Sequence, residues 1–287
     1  MKPAPFDYAR PQSVTDVLAL LSARASEAKI LAGGQSLVPM MNFRMARPGL
    51  LIDINRLAEL DYHRVEGNQL VVGALARHAA LLSSTLVRAA CPLMAEAYQH
   101  VAHGPIRNRG TLCGNLCHAD PASEMPAVAL ATDAVLVLKS SSGERRIPAE
   151  EFFLGTYETA ANPDELLVEV RIPVAPAQQG WGFREMSVRK GDFALTGVAV
   201  ILTVAREKIA SAALAVCGVG DRAQRLRSVE ASLIGGSPNS DAFARAGEQA
   251  GAALDPQTDL HADAAYRRDL VRTLVERALV AATERST

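Results

Sequence analysis

Lys29-Ile-Leu-Ala-Gly-Gly-Gln-Ser36 is the segment from which the fold of this chain can be worked out. The short apolar run at its start predicts a strand, and the two adjacent glycines predict a turn directly after it. Residues without side-chain bulk let backbone N–H groups approach an anion closely, so this turn is suited to a phosphate. A Gly-Gly pair is also common in turns that bind nothing, and the segment alone leaves both interpretations open.

The residues on either side of this turn predict a small α+β unit that covers 1–57. Ser13-Val-Thr-Asp16 resembles a capping box, and apolar residues then recur at helical spacing, which predicts a helix over about 14–23. Leu50-Leu-Ile-Asp-Ile54 predicts a second strand after the glycine turn.

Strand and helix patterns then alternate through a second unit, which we place at 58–175. The predicted strands are Gln69–Gly73, Asp133–Leu138 and Glu165–Ile172, and the predicted helices are Ala79–Leu86 and Cys91–His100.

Pro173-Val-Ala-Pro176 marks the clearest break in composition and begins a third unit at 176–287. We expect strands at 182–188, 194–204 and 212–219, followed by two helices, the last over about 264–283. Strands that precede helices in this way are typical of α+β packing, and a doubly wound sheet is not expected.

The overall charge of the chain argues against a partner that is bound by long-range electrostatic attraction. Lys and Arg total 30 against 31 for Asp and Glu, a formal charge of −1 that attracts neither nucleic acid nor an anionic membrane. No stretch approaches the roughly 20 apolar residues of a membrane span, and the first ten residues lack the pattern of a secretory signal. We therefore expect a cytoplasmic location.

The four cysteines predict reduced thiols and no metal site in this chain. Cys91, Cys113, Cys117 and Cys217 are too few and too unevenly spaced for a disulfide framework. They also lack the C-x4-C-x2-C spacing of a plant-type [2Fe–2S] ligand set, so we expect any such cluster in another chain.

A second glycine-bearing segment, Ile106-Arg-Asn-Arg-Gly-Thr-Leu-Cys-Gly-Asn115, lies about 75 residues after the first. Two such loops suit a diphosphate better than a single phosphate does. Thr111 and Asn115 add short side-chain donors, and Glu124 offers a carboxylate for ribose hydroxyl groups. The alternative is two unrelated loops in which Asn115 is a turn residue.

Three ordered motifs resemble one known family. They are Ala32-Gly-Gly-Gln-Ser36 with Leu37-Val-Pro-Met-Met41, Ile106-Arg-Asn-Arg-Gly-Thr111 with Gly114-Asn115 and His118-Ala-Asp-Pro121, and Arg189-Lys-Gly-Asp-Phe-Ala194. Together they resemble the flavin subunit of the carbon monoxide dehydrogenase and xanthine dehydrogenase family. Tyr266-Arg-Arg-Asp-Leu270 resembles the closing helix of that family, so the similarity covers the whole chain.

The resemblance implies a fold, a cofactor and partners. The fold would have two N-terminal FAD-binding α+β subdomains and a C-terminal three-stranded antiparallel sheet with a helix bundle. The cofactor would be FAD. The partners would be a small subunit with [2Fe–2S] clusters and a large subunit with the molybdenum cofactor, assembled as a dimer of heterotrimers.

The resemblance also implies cofactor-binding residues, none of them catalytic. They are Leu31, Ala32, Gly33, Gly34, Gln35, Ser36, Ala102, Ile106, Thr111, Leu112, Cys113, Gly114, Asn115, Glu124, Leu167, Arg184, Asp192 and Phe193. Glu124 replaces the Asp that is common in the family, and Arg184 falls where some relatives have a Lys near the flavin. Phe193 would cover one face of the ring system or serve as a core aromatic. Cys113 replaces a glycine, which implies ordinary backbone and a thiol near the cofactor.

The predicted function is an electron relay. FAD in this chain would collect electrons from iron–sulfur clusters and pass them to an external acceptor, because the redox chemistry belongs to the cofactor. His100, His103 and His118 lie near the second loop and either tune the flavin or are structural. Two alternatives stay open: an autonomous FAD-dependent oxidase, and a non-catalytic nucleotide-binding module.

Overall fold

The computed structural model describes residues 1–286 and begins with a small parallel sheet. Its strands are β1 (Asp7–Ala9), β2 (Ala28–Leu31) and β3 (Leu50–Asp53), with β3 in the middle. Helix α1 (Val14–Arg24) connects β1 to β2, and helix α2 (Leu37–Asn42) follows β2. The glycine loop therefore leaves the carboxyl end of a parallel strand.

The predicted capping box starts α1. The Ser13 hydroxyl accepts a hydrogen bond from the Asp16 N–H at 3.1 Å and donates one to the Asp16 carboxylate at 2.8 Å. Val17 and Leu21 are buried on the inner face of the helix. The helix extends one residue beyond the predicted end, to Arg24, whose guanidinium donates to the Asp7 carboxylate at 2.7 Å.

The second sheet has five antiparallel strands in the order β4–β5–β10–β6–β7. These strands and a small hairpin, β8 with β9, are β4 (His63–Glu66), β5 (Gln69–Gly73), β6 (Val135–Ser140), β7 (Gly143–Pro148), β8 (Phe153–Gly155), β9 (Glu158–Thr159) and β10 (Leu166–Pro173). The three strands predicted for this unit correspond to β5, β6 and β10.

Short helices connect these strands. They are a 3-10 turn (Ala58–Leu60), α3 (His78–Ser83), α4 (Thr85–Ala90), α5 (Pro92–Ala97), α6 (Gly104–Arg107), α7 (Leu112–His118), α8 (Glu124–Ala131) and α9 (Ala149–Phe152). The single helix predicted over 79–86 is wrong. Ser84 has extended backbone, and its hydroxyl accepts from the Val87 N–H at 3.2 Å, so α3 ends there and α4 begins.

The third unit has one strand and one helix more than predicted. Its elements are β11 (Gln179–Ser187), β12 (Ala194–Ala205), β13 (Lys208–Cys217), β14 (Gln224–Arg225), α10 (Arg227–Leu233), α11 (Ser240–Ala253) and α12 (Ala264–Glu284). The antiparallel sheet has four strands in sequence order, because the two residues of β14 add to the edge of β13. The predicted α+β class with a C-terminal sheet and helix bundle is confirmed.

This last sheet is buried on both faces. Val198 and Val200 of β12 pack into the core formed with α10–α12, whereas Ala199 and Ile201 belong to the core of the first two units. Helix α12 lies so close to β11 that a β-carbon on Gly182 would be only 2.4 Å from the Ala278 carbonyl oxygen. The opposite face of β11 and β12 therefore packs on α5 and α8, next to the second glycine loop.

Within residues 1–286, no helix combines the length and the apolar composition that crossing a membrane requires. The boundaries at 57 and 175 stay predictions. The apolar residues of α1 pack into the same core as β5 and β6, so the first two units share one hydrophobic core.

Candidate dinucleotide-binding site

The first glycine loop, residues 32–36, connects β2 to α2. Gly34 has φ +70°, a left-handed conformation that glycine adopts without strain. The backbone N–H groups of Gly33, Gly34, Gln35 and Ser36 donate to no protein acceptor in the part of the chain that the structure describes. Four successive free donors are suited to an anion.

The second loop packs directly on the first. A β-carbon on Gly33 would lie 2.5 Å from the Arg109 carbonyl oxygen and 2.7 Å from the Gly110 Cα atom. Only a residue without a side chain permits this approach of one backbone to another. The structure therefore brings together the two segments that the sequence separates by about 75 residues.

Two polar side chains outside the predicted set hold these loops in place. The Arg77 guanidinium donates to the Arg109 carbonyl oxygen and to the Asn55 side-chain oxygen, the latter at 2.6 Å. The Asn55 amide group in turn donates to the Leu31 carbonyl oxygen at 3.3 Å. Burial lowers the pKa of Arg77, and the charge of Arg109 adds to the effect. Neither residue belongs to a sequence motif, so only the fold identifies them.

Thr111 serves the helix that follows the second loop. Its hydroxyl accepts from the Gly114 N–H at 3.1 Å and caps α7, and the residue is buried. Leu112 and Cys113 are also buried, and the Cys113 sulfur faces the Val72 carbonyl oxygen at 3.9 Å. Burial raises the pKa of this thiol well above its usual range. Cys113 has ordinary backbone, as expected, and its thiol points into the core, so its place near the cofactor stays a prediction.

Asn115 connects the second loop to α8. Its side-chain oxygen accepts from the Ser123 hydroxyl at 2.9 Å, and among residues 1–286 its amide N–H groups have no acceptor.

Glu124, which follows Ser123 in the sequence, is only 5% exposed. Burial and the nearby Glu185 raise the pKa of Glu124 to about 8. The Glu124 carboxyl group is thus less readily ionised than an exposed one.

The loop over 189–193 of the third unit lies at the far end of the candidate site from the glycine loops. Ala102 has φ +47°, and Arg107 holds its loop by donating to the carbonyl oxygens of Val101 at 2.8 Å and Ala102 at 2.6 Å. A β-carbon on Gly191 would lie 2.6 Å from the His103 ring. The loop over 189–193 thus rests on the loop that precedes α6.

The predicted contacts of the ring system differ in exposure. Phe193 is 65% exposed, Ile106 is 37% exposed and Asp192 is half-buried. The alternative role of Phe193 as a core aromatic is therefore wrong. Leu167, in contrast, is buried in β10 as part of the core.

Arg184 is not a free cation. Its guanidinium donates to the Glu96 carboxylate at 2.9 Å and to the Phe183 carbonyl oxygen at 2.7 Å. The neighbouring residue Glu185 was not predicted as a site residue, yet its side chain points inward and is almost fully buried. The alternation of side chains along β11 puts Glu185 on the same face as the buried Phe183, a pattern that the sequence contains.

The three histidines have separate environments. His100 Nδ1 lies 3.7 Å from a Glu185 oxygen, and His103 contacts Gly191. The His118 ring stacks on Tyr157 with ring centres 4.8 Å apart, and burial lowers the pKa of His118.

All four cysteines are free thiols, and Cys117 is the exposed one. In the described residues, no group of three or more His, Cys, Asp or Glu side chains is arranged to hold a metal ion.

These features define a protein with a glycine-loop site of the kind that is suited to a nucleotide diphosphate. Two loops meet at Gly33, and the first of them has four backbone N–H groups that are available to an anion. Glycine at Gly33 and Gly34 keeps the donors accessible, and Asn115 adds a side-chain donor. This set of neutral donors fits the diphosphate of FAD.

The comparisons with known proteins agree with this class and confirm the resemblance found in the sequence. Residues 4–175 match the family described as FAD binding domain in molybdopterin dehydrogenase, and residues 181–282 match the CO dehydrogenase flavoprotein C-terminal domain. The chain belongs to the family of FAD-binding medium subunits of molybdenum hydroxylases.

Similar proteins cover the chain from end to end. The caffeine dehydrogenase subunit beta of Pseudomonas sp. (strain CBB1) is 43% identical over 99% of this chain and 97% of the relative. The carbon monoxide dehydrogenase medium chain of Hydrogenophaga pseudoflava is 39% identical over 99% of both. A solved structure of carbon monoxide dehydrogenase from the same organism, which lacks the Mo-pyranopterin moiety, matches with a TM-score of 0.97 at 40% identity and 99% coverage of both chains. The chain is thus a subunit of an oxidoreductase family.

Proposed function

We propose that this chain binds one FAD with its diphosphate on the two glycine loops and serves as the electron-exit subunit of a larger dehydrogenase. The observation that supports the proposal most strongly is the backbone contact at Gly33, which places the four free N–H groups of the first loop beside the second loop. The family supplies the identity of the dinucleotide.

The diphosphate would be held by neutral groups. The N–H groups of residues 33–36 would donate to it from one loop, and the Asn115 amide would donate from the other. Thr111 would act indirectly by capping α7 and thereby orienting Gly114 and Asn115. Arg77 and Asn55 would keep the two loops together. Backbone N–H groups bind an anion through their oriented dipoles, without a charged side chain.

The ring system would lie toward the loop of the third unit. Ala102 and Ile106 would form one side, and Asp192 and Phe193 would form the other, because Gly191 rests on His103. Phe193 exposes most of its side chain, which would allow it to cover an apolar ring and exclude water. The remaining members of the predicted set would contribute as neighbours of these loops.

FAD, when bound, supplies the ability to take up electrons singly and to release them in pairs. The protein would orient the cofactor and limit its access to water. We propose that the electrons come from [2Fe–2S] clusters in a small partner subunit, and that a large partner subunit with the molybdenum cofactor oxidises the substrate. The subunit names of the relatives support a multi-subunit complex, and a dimer of heterotrimers is the assembly that we expect.

The names of two relatives refer to caffeine and to carbon monoxide, so relatives of this chain serve complexes with different substrates. The substrate of the present complex would be selected in the large partner subunit. The cytoplasmic location expected from the sequence stays a prediction.

The test is an absorption spectrum with metal analysis of the full-length chain, purified alone and after co-expression with its genomic neighbours. We expect a flavin spectrum without iron from the lone chain, and iron and molybdenum in addition from the co-purified complex. A colourless chain that neither rebinds FAD nor recruits partners would overturn the proposal in favour of a nucleotide-binding module. Rapid aerobic substrate turnover by the FAD-loaded lone chain would indicate an autonomous oxidase.

A further inference from the structure

Almost every buried or half-buried arginine of this chain has a carboxylate partner. The arginines of this kind that lie within salt-bridge distance of an Asp or Glu side chain are Arg24, Arg145, Arg171, Arg184, Arg225, Arg267, Arg268, Arg272 and Arg285. Among the described residues, Arg77 and Arg107 are the half-buried arginines without such a partner. A half-buried cation without a counter-charge is unfavourable, so these two side chains require an explanation.

Both exceptions lie at the second glycine loop. The Arg77 backbone forms a β-bridge with Thr111, and Arg107 belongs to the loop itself. The buried His78 ring lies against the same loop, since a β-carbon on Gly110 would be 2.8 Å from it. Burial lowers the pKa of His78 to about 4, and the charges of Arg107 and Arg77 lower it further. The base of the loop therefore has two guanidinium charges beside a neutral imidazole.

The protein acceptors of the two guanidinium groups are all neutral. Arg77 donates to the Arg109 carbonyl oxygen and, at 2.6 Å, to the Asn55 side-chain oxygen. Arg107 donates from Nη1 to two backbone carbonyl oxygens at 2.8 and 2.6 Å. A guanidinium has five N–H donors, so each group keeps donors without an acceptor in the part of the chain that the structure describes. Neither charge is compensated by these contacts.

The acids in this region do not neutralise the loop. Asp53 reaches Arg77 only through the Asn55 amide, which donates to the Asp53 carboxylate at 2.6 Å. The like charge of Arg109 acts on Arg77 more strongly than the charges of Asp61 and Asp53 do. Arg109 is exposed and has no carboxylate partner among residues 1–286. The second loop thus keeps an excess of positive charge.

This charge lies directly behind the contact between the two loops. The Arg109 carbonyl oxygen that Arg77 binds is the same atom that Gly33 approaches, at 2.5 Å from a β-carbon built on that glycine. The four free N–H groups of residues 33–36 follow in the first loop. Backbone donors and an uncompensated cation therefore meet at one place, and both favour a bound anion.

We propose that Arg77 and Arg107 are the counter-charges of this site: they compensate the negative charge of a diphosphate from the second loop, while the N–H groups of the first loop bind it directly. Arg77 should contribute more, because it contacts the carbonyl oxygen that joins the loops. The identity of the ligand as FAD rests on the proposed function, whereas affinity for a diphosphate is a property of these two loops alone.

The first experiment uses inorganic pyrophosphate as the probe, titrated into the full-length chain freed of FAD. We expect wild type to bind it, Arg77→Gln to bind it about tenfold more weakly and Arg107→Gln about threefold more weakly. Arg145→Gln is the matched control, since Arg145 is half-buried and bound to a carbonyl oxygen but paired with Glu165. Equal affinity in wild type and Arg77→Gln, or no binding to wild type, would overturn the proposal.

The second experiment separates charge from loop structure. The FAD dissociation constant of wild type should rise between about 50 mM and about 500 mM KCl, because salt screens the attraction. It should rise less in Arg77→Gln and as in wild type in Arg145→Gln. Arg77→Lys should keep the salt dependence of wild type even though an ammonium cannot replace the guanidinium contacts. Weaker binding in Arg77→Gln with an unchanged salt dependence would show that Arg77 only shapes the loops, which would overturn its role as a counter-charge.

Unfolding in urea checks that each FAD-free variant is folded. If Arg77→Gln does not fold, Arg107→Gln replaces it in both experiments, and equal behaviour of Arg107→Gln and wild type would contradict the proposal. Pyrophosphate binding that depends on the arginines, without any FAD binding, would overturn the proposed function and leave the counter-charges intact. FAD binding that is insensitive to both arginines would overturn the counter-charges and leave the proposed function intact.

Discussion

The two glycine loops meet through their backbones, whereas the second and third units meet through charged as well as apolar side chains. At the first contact, Gly33 lies against the Arg109 carbonyl oxygen, and the available groups are neutral amides. At the second, Glu96 of α5 binds Arg184 and Arg285 of the third unit, with distances of 2.9 and 2.5 Å. The first region should therefore respond to changes of size, and the second to changes of charge.

The second region itself contains two kinds of carboxyl group. Glu96 has two arginine partners, and Arg285 also lies over the Trp181 ring at 5.1 Å. Glu185 has no hydrogen-bond partner in the described chain. The contact between these units thus contains one carboxylate neutralised by two arginines and one buried carboxyl group without a hydrogen-bond partner in the described chain. The comparison shows that burial alone does not determine what a carboxyl group does.

The largest expected effect is that of Gly34→Val on FAD retention. Valine at φ +70° is strained, and its β-carbon would lie 2.9 Å from a Leu31 methyl group. A cost of about 3 kcal/mol would weaken FAD binding about 100-fold or more. The measurement is the FAD content of the purified chain. Gly67→Val is the matched control, since Gly67 has φ +58° and no atoms within 4 Å of an added β-carbon. Equal loss of FAD in both variants would assign the effect to folding.

Gly33→Ala tests the backbone contact without left-handed strain. Its methyl group would force the Arg109 carbonyl oxygen away and separate the two loops. We expect an increase of about 10- to 100-fold in the FAD dissociation constant, which corresponds to an overpacking cost of about 1–3 kcal/mol. In Gly155→Ala the nearest atom would be at 3.5 Å, and FAD binding should not change. Normal FAD affinity in Gly33→Ala would contradict the role of the contact.

Glu96→Gln tests the charged contact. The substitution keeps the shape but leaves the Arg184 and Arg285 guanidinium groups without their carboxylate, and these side chains are only about one third exposed. We expect the free energy of unfolding in urea to fall by about 1–2 kcal/mol, less than for a fully buried pair. FAD affinity at neutral pH should stay within about twofold.

The control for Glu96→Gln is Asp255→Asn, which removes the carboxylate from a surface pair with Arg268 at 3.1 Å. Asp255 is fully exposed, so its loss should leave stability unchanged. If Glu96→Gln is as harmless as this control, the two arginines do not tie the units together.

Phe193→Ala should affect the cofactor and not the fold. Its side chain is 65% exposed, so the free energy of unfolding of the FAD-free chain should change by no more than about 0.5 kcal/mol. Loss of an aromatic contact of about 1 kcal/mol should weaken FAD binding about fivefold. Tyr266→Ala, at an exposed aromatic residue of α12, is the control and should leave FAD affinity unchanged. Unchanged affinity in Phe193→Ala would remove this residue from the proposed site.

The smallest effect is expected from Cys117→Ser. Cys117 is an exposed residue that forms no disulfide, and serine closely matches its size, so neither FAD content nor stability should change measurably. Metal analysis of wild type and variant checks the alternative. Loss of a stoichiometric metal on this substitution would show that Cys117 is a ligand.

The sequence predicted the backbone features of the site, such as its glycine turn, better than the partners of its polar and charged side chains. Gly33 and Gly34 were recognisable because two adjacent glycines after a strand have a direct structural meaning. Asn55 and Arg77 were missed, since each reaches its partner through contacts between segments far apart in the chain. Arg184 was predicted as a cation near the flavin, and its pairing with Glu96, at a separation of 88 residues, was not foreseen.

The sequence by itself determined the strand–turn–helix order of the first loop, the capping of α1 and the membership of the FAD-binding family. These depend on the backbone preferences of adjacent residues and on motifs that stay together in the chain. Only the tertiary structure decided that Gly33 touches the second loop, that the Cys113 thiol enters the core and that Glu124 and Glu185 lack a strong cation. Burial and electrostatic environment are set by groups from distant segments, and their positions exist only once the whole chain has packed.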